Sequence, residues 1–188
     1  VLKALMRQYA SALYNGIKFS GTTGGKPRYR MGGMWAFANN SAGPTTGALT
    51  LDKTFVENNV ISTLQEVGAD PMNLCLIVNR AQYPKITQLK RDLTINGGMK
   101  QEEMSINADL ETYRYMGCRL TFGVSDNLSV NSAVAFDRSK VQMARITDDT
   151  FQIRDAGVDR DGDRKQIVGE LSAQFHNPQS IRYFTNVT

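Results

Sequence analysis

The chain has 188 residues, 41% of them hydrophobic and 21% charged, and a formal net charge of +4. This length is enough for one compact domain, or for two small lobes that share a core, without help from disulfides. No apolar run approaches the ~20 residues of a transmembrane helix, which argues against a membrane-spanning protein. The first residues are already amphipathic and do not resemble a signal peptide, so we expect the chain to begin inside a helix, as a fragment or a processed product.

Cysteine use and charge distribution bear on compartment and partners. Cys75 and Cys118 lie in apolar runs, which predicts two buried free thiols and a reducing cytoplasm. Lysine and arginine are not gathered into a stripe along the sequence. A mildly basic, solvated surface is therefore favoured over a dedicated nucleic-acid reader.

The N-terminal quarter predicts two helices and two loops. Apolar residues at positions 2, 5, 6, 9 and 13 follow the rhythm of one helical face, and Asn15-Gly16 supplies a stop. Residues 21–25 predict a Gly/Thr loop, and residues 31–38 a short apolar helix. Residues 39–47 predict a second loop, the best candidate for a boundary between lobes.

Residues 50–91 predict a helix, a strand and a second helix. Thr50 can cap the first helix, with Asp52 in its first turn and Gly68 at its end. The inward stripe of this helix would be Val56, Val60, Leu64 and Val67. The continuous apolar run 74–78 predicts a buried central strand, and the following helix can hold Pro84 only in its first turn.

The remainder of the chain predicts an exposed loop followed by strands. The loop covers residues 94–109, which are polar and without clear period. Strands are expected at about 110–116, 118–124, 132–136, 141–144 and 151–153, with a long strand over 165–175. Helices followed by many strands predict the α+β class.

Candidate chemical sites are sparse. His176 is the only histidine, so one chain cannot form a zinc cluster or a metal pair with several histidines. The adjacent carboxylate pairs are Glu102-Glu103 and Asp148-Asp149, and adjacent strand residues point to opposite faces, which is unsuitable for shared acid/base work. No enzyme activity, cofactor or metal is therefore expected.

Two loops superficially resemble ligand-binding motifs. Residues 159–163 resemble half of a calcium loop, but their glycine is misplaced, and a tight Asp-Gly hairpin turn explains them better. Residues 21–26 lack the spacing of a phosphate-binding loop, since Pro27 follows Lys26. We expect a flexible loop there.

Several residues are candidates for contacts with other subunits. Arg28 and Arg30 flank Tyr29 and could bind phosphate, pair with carboxylates of a neighbour, or simply be solvated. The Met-, Trp- and Gly-rich segment 31–38 is either core or an inter-subunit surface that includes Trp35. The exposed loop 94–109 adds further candidates, namely Gly97, Gly98, Lys100, Glu102 and Glu103.

A set of short motifs follows one order along the chain. They are Leu13–Gly16, Pro27–Met34, Glu66–Pro71 leading to Leu76–Asn79, Tyr113–Gly117, Phe136-Asp137, and Gly162-Asp163 with Val168–Leu171. In this order they resemble the major head protein family typified by phage SU ten, a branch of the Hong Kong 97-type capsid fold. The resemblance covers nearly the whole chain.

The resemblance implies a layout of two domains. Residues 1–49 would form the peripheral domain with a spine helix, residues 50–145 the axial domain, and residues 146–188 the peripheral sheet strands. The family's N-terminal arm and extended loop are expected to be missing from these residues. The implied contacts are the candidates Arg28, Arg30, Trp35, Gly97, Gly98, Lys100, Glu102 and Glu103.

The resemblance also implies a function and partners. A structural major capsid protein self-assembles, as pentamers and hexamers, into the icosahedral head shell that encloses phage double-stranded DNA. Its further partners would be a decoration or cement protein, a portal at one vertex and the packaged DNA, bound non-specifically, with no membrane. It would belong to the virion and be assembled in the host bacterial cytoplasm. The alternatives are a DNA-binding accessory protein of the virion and a small α+β enzyme.

Overall fold

The computed structural model describes residues 2–23, 26–41, 47–89, 112–145, 152–159, 162–168 and 171–188. Its helices are α1 (Leu2–Asn15), α2 (Met34–Ser41), a π-helix (Phe55–Ser62) that continues directly into α3 (Thr63–Glu66), and α4 (83–89). Its strands are β1 (Phe19–Thr23), β2 (Lys26–Arg30), β3 (Leu74–Asn79), β4 (Thr112–Tyr115), β5 (Cys118–Ser125), β6 (Ala133–Asp137), β7 (Val141–Arg145), β8 (Gln152–Asp159), β9 (Gly162–Val168), β10 (Leu171–Phe175) and β11 (Ile181–Phe184). The predicted α+β class is confirmed.

A five-stranded sheet with the order β11-β6-β3-β5-β4 forms the centre of the structure. β3 and β5 run parallel, with Leu74 opposite Leu120, and the other pairs are antiparallel. The apolar run predicted as a buried central strand is β3, the middle strand. A strand in this position needs apolar side chains on both faces because helices cover both.

The two faces of the sheet bury two different clusters. Leu74, Leu76 and Val78 of β3 join one core with the helical run 53–66 and α4. Cys75 points the other way and joins a second core with residues of β6, β11 and α2, including Met34 and Ala38. The period-two alternation of β3 therefore separates the sheet into two helix-covered faces.

The spacing of apolar residues in the helical run 53–66 explains why part of it is a π-helix. Its buried apolar pairs, Phe55-Val56 and Val60-Ile61, are spaced by five residues. An α-helix would turn the second pair about 140° away from the first, whereas the wider π turn keeps both pairs on the core side. The predicted cap at Thr50 was wrong by two residues, because the Asp52 carboxylate accepts the Phe55 N–H at 2.7 Å.

Three two-stranded ribbons accompany the central sheet, and they correct two of the predictions. β1 pairs with β2 as an antiparallel hairpin, where a Gly/Thr loop was expected over 21–25. The two described parts of the predicted long strand 165–175 have different partners, since β9 pairs with β8 and β10 pairs with β7; residues 169–170 lie outside the described residues. Asp159 pairs with Gly162 across β8 and β9, which fits the predicted hairpin turn better than a calcium loop; residues 160–161 lie outside the described residues.

The last residues return to the centre of the fold. β11 pairs with β6, and Val187 then forms a parallel bridge with Leu49, just before the helical run 53–66. The Thr188 N–H donates to the Leu49 carbonyl at 2.7 Å. This arrangement fastens residues 185–188 to the segment that leads into the first core.

Predicted boundaries near the loops shift or lie outside the described part of the chain. α2 begins at Met34, three residues later than expected, and it continues to Ser41 into the predicted loop 39–47. Residues 42–46 of that loop, the loop 94–109, Leu93 and Arg91 are outside the described residues. α4 is helical from residue 83, which places Pro84 in its first turn as predicted.

Candidate functional site

The C-terminal end of α1 meets the residues before α2 in a joint built on glycines. The Gly33 N–H donates to the Gly16 carbonyl at 2.7 Å. A Cβ atom at Gly33 would lie 2.4 Å from the carbonyl oxygen of Ala12, and one at Gly16 would lie 2.3 Å from the same oxygen. Only glycine permits this approach of two backbones. The Asn-Gly and Met-Gly-Gly motifs, distant in the sequence, therefore meet in space.

Asn15 connects this joint to the central sheet. Its Nδ2 donates to the Asn127 carbonyl at 2.7 Å, and its Oδ1 accepts from the Tyr183 hydroxyl at 2.9 Å. The Ser129 hydroxyl also donates to Asn15 Oδ1, at 3.3 Å. The sequence indicated Asn15 only as a helix stop, because its partners come from segments more than a hundred residues away.

Trp35 lines a groove beside the joint. The groove has a volume of about 250 Å³ and is lined by Asn15, Ile17, Trp35, Ser129, Ser132, Tyr183 and Thr185. The lining contains no carboxylate, histidine or amine that could act as a general base. Ile17 in the lining is 65% exposed, and Val130, next to Ser129, is 70% exposed. Neighbouring exposed apolar side chains are typical of contact surfaces rather than of catalytic clefts.

A second joint lies at the end of the sheet where β3 and β5 begin. The side chain of Asp137 is completely buried there, and its Oδ2 accepts the Asp70 N–H at 2.8 Å. Its Oδ1 accepts the N–H and the hydroxyl of Ser139 at 2.9 and 2.7 Å. A buried carboxylate is tolerated when donors surround it in this way. The Phe-Asp motif thereby holds the Asp-Pro turn at residues 70–73.

The buried ionisable side chains have the character of core groups. Burial raises the pKa of the Cys75 thiol to about 11, and burial also raises the pKa of Cys118. Both cysteines are buried and free, as predicted, so both are neutral thiols and weak nucleophiles near pH 7. Burial, and then the hydrogen bond to Glu57, raise the pKa of Tyr113, whose hydroxyl lies 2.7 Å from Glu57 Oε1.

The structure places the predicted contact residues unequally. Trp35 lies half-buried in the groove described above. Arg28 and Arg30 are in β2, paired with Gly21 and Phe19 of β1. The remaining candidates, Gly97, Gly98, Lys100, Glu102 and Glu103, lie outside the described residues. The inter-subunit role of all eight therefore stays a prediction.

The described ranges contain neither a candidate metal cluster nor a membrane-spanning helix. Among these residues, no three His, Cys, Asp or Glu side chains lie close enough together to hold a metal ion. None of the described helices has the length and apolar character needed to cross a membrane. His176 follows β10, is exposed, and donates its N–H to the Lys140 carbonyl at 2.9 Å.

Comparisons with known proteins agree on one architecture. The family model described as SU10 major capsid protein matches residues 1–188. Similar solved structures include the capsid of an empty GTA particle (TM-score 0.60, 12% identity, 100% of this chain and 64% of that one) and the cyanophage A-1(L) capsid (TM-score 0.57, 13% identity, 97% and 66%). The holo-SrpI encapsulin complex of Synechococcus elongatus PCC 7942 is also similar (TM-score 0.53, 14% identity, 99% and 62%). The chain thus spans less than two thirds of each of these structures. No curated protein sequence matches it.

Proposed function

The chain belongs to the SU10 major capsid protein family, and from this membership we propose that it is the shell-forming subunit of a tailed-phage head. Copies of the protein self-assemble into an icosahedral shell that encloses double-stranded DNA. The match of the family model over residues 1–188 carries the proposal. The α+β fold shared with phage capsids and an encapsulin supports it.

The proposed layout has a peripheral and an axial domain. Residues 1–49, with α1 as the spine helix, and the strands of residues 146–188 form the peripheral domain. Residues 50–145, which include four strands of the central sheet, form the axial domain around the five- and six-fold axes. The pairing of β11 with β6 supports a link between the end of the chain and the axial domain, whereas the bridge of Val187 with Leu49 joins two segments of the peripheral domain.

A shell subunit needs several contact surfaces with copies of itself. Heterologous contacts close into rings, and large, partly polar interfaces suit this purpose better than one deep pocket. Trp35 in its groove beside the exposed Ile17 is one such surface. Arg28 and Arg30 in β2, and Gly97, Gly98, Lys100, Glu102 and Glu103 in the loop 94–109, are proposed as further contact residues.

The other partners follow from the same role. The shell contacts its packaged DNA non-specifically, meets a portal at one vertex and can carry a decoration protein. Assembly takes place in the host bacterial cytoplasm and ends in the virion. Membership in a family of structural capsid proteins supports a protein without enzymatic activity.

Mass photometry and negative-stain imaging of the full-length natural protein at near-physiological salt test this proposal. Pentamers, hexamers or closed particles are expected at micromolar concentration. A protein that stays monomeric at high concentration and binds DNA with a steep salt dependence would instead be an accessory DNA-binding protein.

A further inference from the structure

Two arginines face each other at the end of the sheet where β4 and β5 meet. Arg114 and Arg119 are direct cross-strand partners, and both are exposed. Within the described residues, neither forms an ion pair with a carboxylate. Like charges directly opposite each other destabilise an antiparallel pair. This pair therefore opposes folding, and no carboxylate of the described residues compensates it.

Exposed methionines and a third arginine lie at the same end of the sheet as this pair. The Arg119 N–H donates to the Pro71 carbonyl at 2.7 Å, and the Arg138 N–H donates to the Asn73 carbonyl at 2.9 Å. The turn between these bonds carries Met72, which is 64% exposed, and the neighbouring hairpin turn carries Met116, which is 74% exposed. The arginine–methionine patch consists of Met72, Arg114, Met116, Arg119 and Arg138.

The carboxylate next to this patch is already engaged. Asp70 accepts the Met72 N–H at 3.0 Å and the Asn73 amide at 2.6 Å, and these two hydrogen bonds lower its pKa, with a smaller effect from Lys140. Arginine and methionine together are enriched in protein–protein interfaces, whereas a nucleic-acid site would not need exposed methionines. The composition therefore favours a protein partner.

The opposite face of the same sheet end carries an exposed acid. Gln65 donates to the Cys118 sulfur at 2.8 Å, which places the end of α3 against the start of β5. Cys118 and Arg119 are consecutive in β5 and point to opposite faces, so α3 and the patch lie on opposite sides of the sheet. Glu66 is the last residue of α3 and is exposed. A carboxylate is unfavourable there, because the carbonyl end of a helix is itself negative.

We propose that the arginine–methionine patch of one copy binds Glu66 and the carboxyl end of α3 of the next copy. The inference rests on the proposed self-assembly and names the partner of one of its contacts, a second copy of this chain. The two surfaces have opposite charge, and each is electrostatically unfavourable in an isolated subunit. They lie on opposite faces of one edge of the molecule, which is the geometry of a heterologous contact that closes into a ring. Pairing relieves both unfavourable charges at once.

Charge reversal in the full-length protein tests the contact. Arg119→Glu and Glu66→Arg are each expected to raise the protein concentration needed for ring or particle formation at least about tenfold, because like charges then meet across the interface. Lys85→Glu is the matched control for Arg119→Glu: Lys85 is exposed on α4, and both reversals change the net charge by the same amount and in the same direction. This control is expected to assemble like the natural protein.

A charge swap and a stability measurement separate the proposal from its rivals. The combined variant Arg119→Glu/Glu66→Arg is expected to recover most of the assembly, since each subunit then offers complementary charges again. In the Arg119→Glu monomer the urea midpoint is expected to stay level or rise, because the introduced carboxylate faces Arg114; a residue with a merely structural role would lower it.

The contradicting results are distinct from a failure of the proposed function. If the natural protein assembles and both single variants assemble at its concentration, or if the swap restores nothing, this contact is wrong while the shell function stands. If Arg119→Glu leaves assembly intact but abolishes binding of double-stranded DNA, the patch is a nucleic-acid surface and the contact is again wrong. If the natural protein itself never assembles, the shell function fails first.

Discussion

The glycine joint between α1 and α2 makes a graded prediction for alanine substitutions. At Gly33 a methyl group would lie 2.4 Å from the Ala12 carbonyl oxygen and 2.6 Å from the Gly16 nitrogen, both backbone atoms. At Gly32 its nearest neighbours would be side chains, the Lys18 Cβ at 3.3 Å and a Phe37 ring carbon at 3.4 Å. At Gly47 it would meet nothing within 4 Å. Three glycines thus span forbidden, tight and open surroundings.

The distances set the size of each effect. Overpacking costs typically 1–3 kcal/mol, and a clash with backbone lies at the upper end because no rotamer change relieves it. We therefore expect Gly33→Ala to lower the free energy of unfolding by about 3 kcal/mol. Gly32→Ala should cost about 1 kcal/mol, since Lys18 and Phe37 can yield by a few tenths of an ångström. Gly47→Ala should change stability by less than about 0.5 kcal/mol, or increase it slightly.

Urea unfolding followed by circular dichroism measures the series. The urea midpoint is expected to be highest for Gly47→Ala, lower for Gly32→Ala and lowest for Gly33→Ala, while the dependence of the free energy of unfolding on urea concentration stays the same. A Gly33→Ala variant as stable as Gly47→Ala would contradict the close backbone contact at this joint. It would also remove the structural reason for the meeting of the two glycine motifs.

Three further predictions concern the buried carboxylate, the π-helix and the buried thiols. Asp137→Ala should lower the free energy of unfolding by about 3 kcal/mol, because it leaves the donors at Asp70 and Ser139 without the carboxylate that accepts from them. Ser139→Ala should lower it by less than about 1.5 kcal/mol, and equal losses for the two variants in urea unfolding would show that Asp137 does not hold the turn. Deleting Asn58 should convert the π-helix into an α-helix that keeps its apolar face, and should lower the free energy of unfolding by less than about 1 kcal/mol. Loss of the whole fold on this deletion would contradict the explanation from the five-residue spacing. Burial raises the pKa of Cys75 from 9.0 to about 11, so its neutral thiol contributes stability that is complete below pH 9 and is lost as the pH rises through 11. Cys75→Ala should reduce this alkaline loss of stability. If the free energy of unfolding of the variant changes with pH as that of the natural protein does, Cys75 is not the group responsible.

The sequence predicts those elements whose buried residues follow a regular pattern within a short stretch of chain. α1 follows from its helical spacing and from Asn15-Gly16, and β3 follows from an unbroken apolar run. The run 53–66 was predicted as a helix, but its π character was missed because a five-residue spacing does not fit an α-helical template. Three members of the predicted inward stripe, Val56, Val60 and Leu64, are buried, whereas Val67 is half-buried and follows the end of the helix.

Pairing between strands accounts for most of the errors. β1 and β2 contain Gly, Thr, Pro and Arg with little apolar alternation, so nothing in their composition indicates a ribbon that is held by backbone pairing. The alternation of apolar and polar residues is continuous across residues 165–175 in the sequence, but β9 pairs with β8 whereas β10 pairs with β7. Strand partners are long-range facts that a local pattern does not contain.

Partners distant in sequence also explain which candidate contact residues the sequence indicated and which it did not. Trp35 was predicted from its apolar segment, whereas Asn15 and Asp137 gain their roles from partners distant in sequence. The arginine–methionine patch was missed because its arginines are dispersed along the chain, and the register of β4 against β5 brings two of them face to face. Dispersed charge in the sequence did not exclude a charged cluster in the fold.

A cryo-EM reconstruction of particles formed by the full-length protein would decide whether this chain is a shell subunit. The shell-subunit account predicts an icosahedral lattice in which the five-stranded sheet of each copy surrounds the five- and six-fold axes. Such a map would also show whether the arginine–methionine patch lies against Glu66 of the next copy. A protein that forms no closed particle under any assembly condition, or particles whose shell density does not fit this fold, would contradict the account.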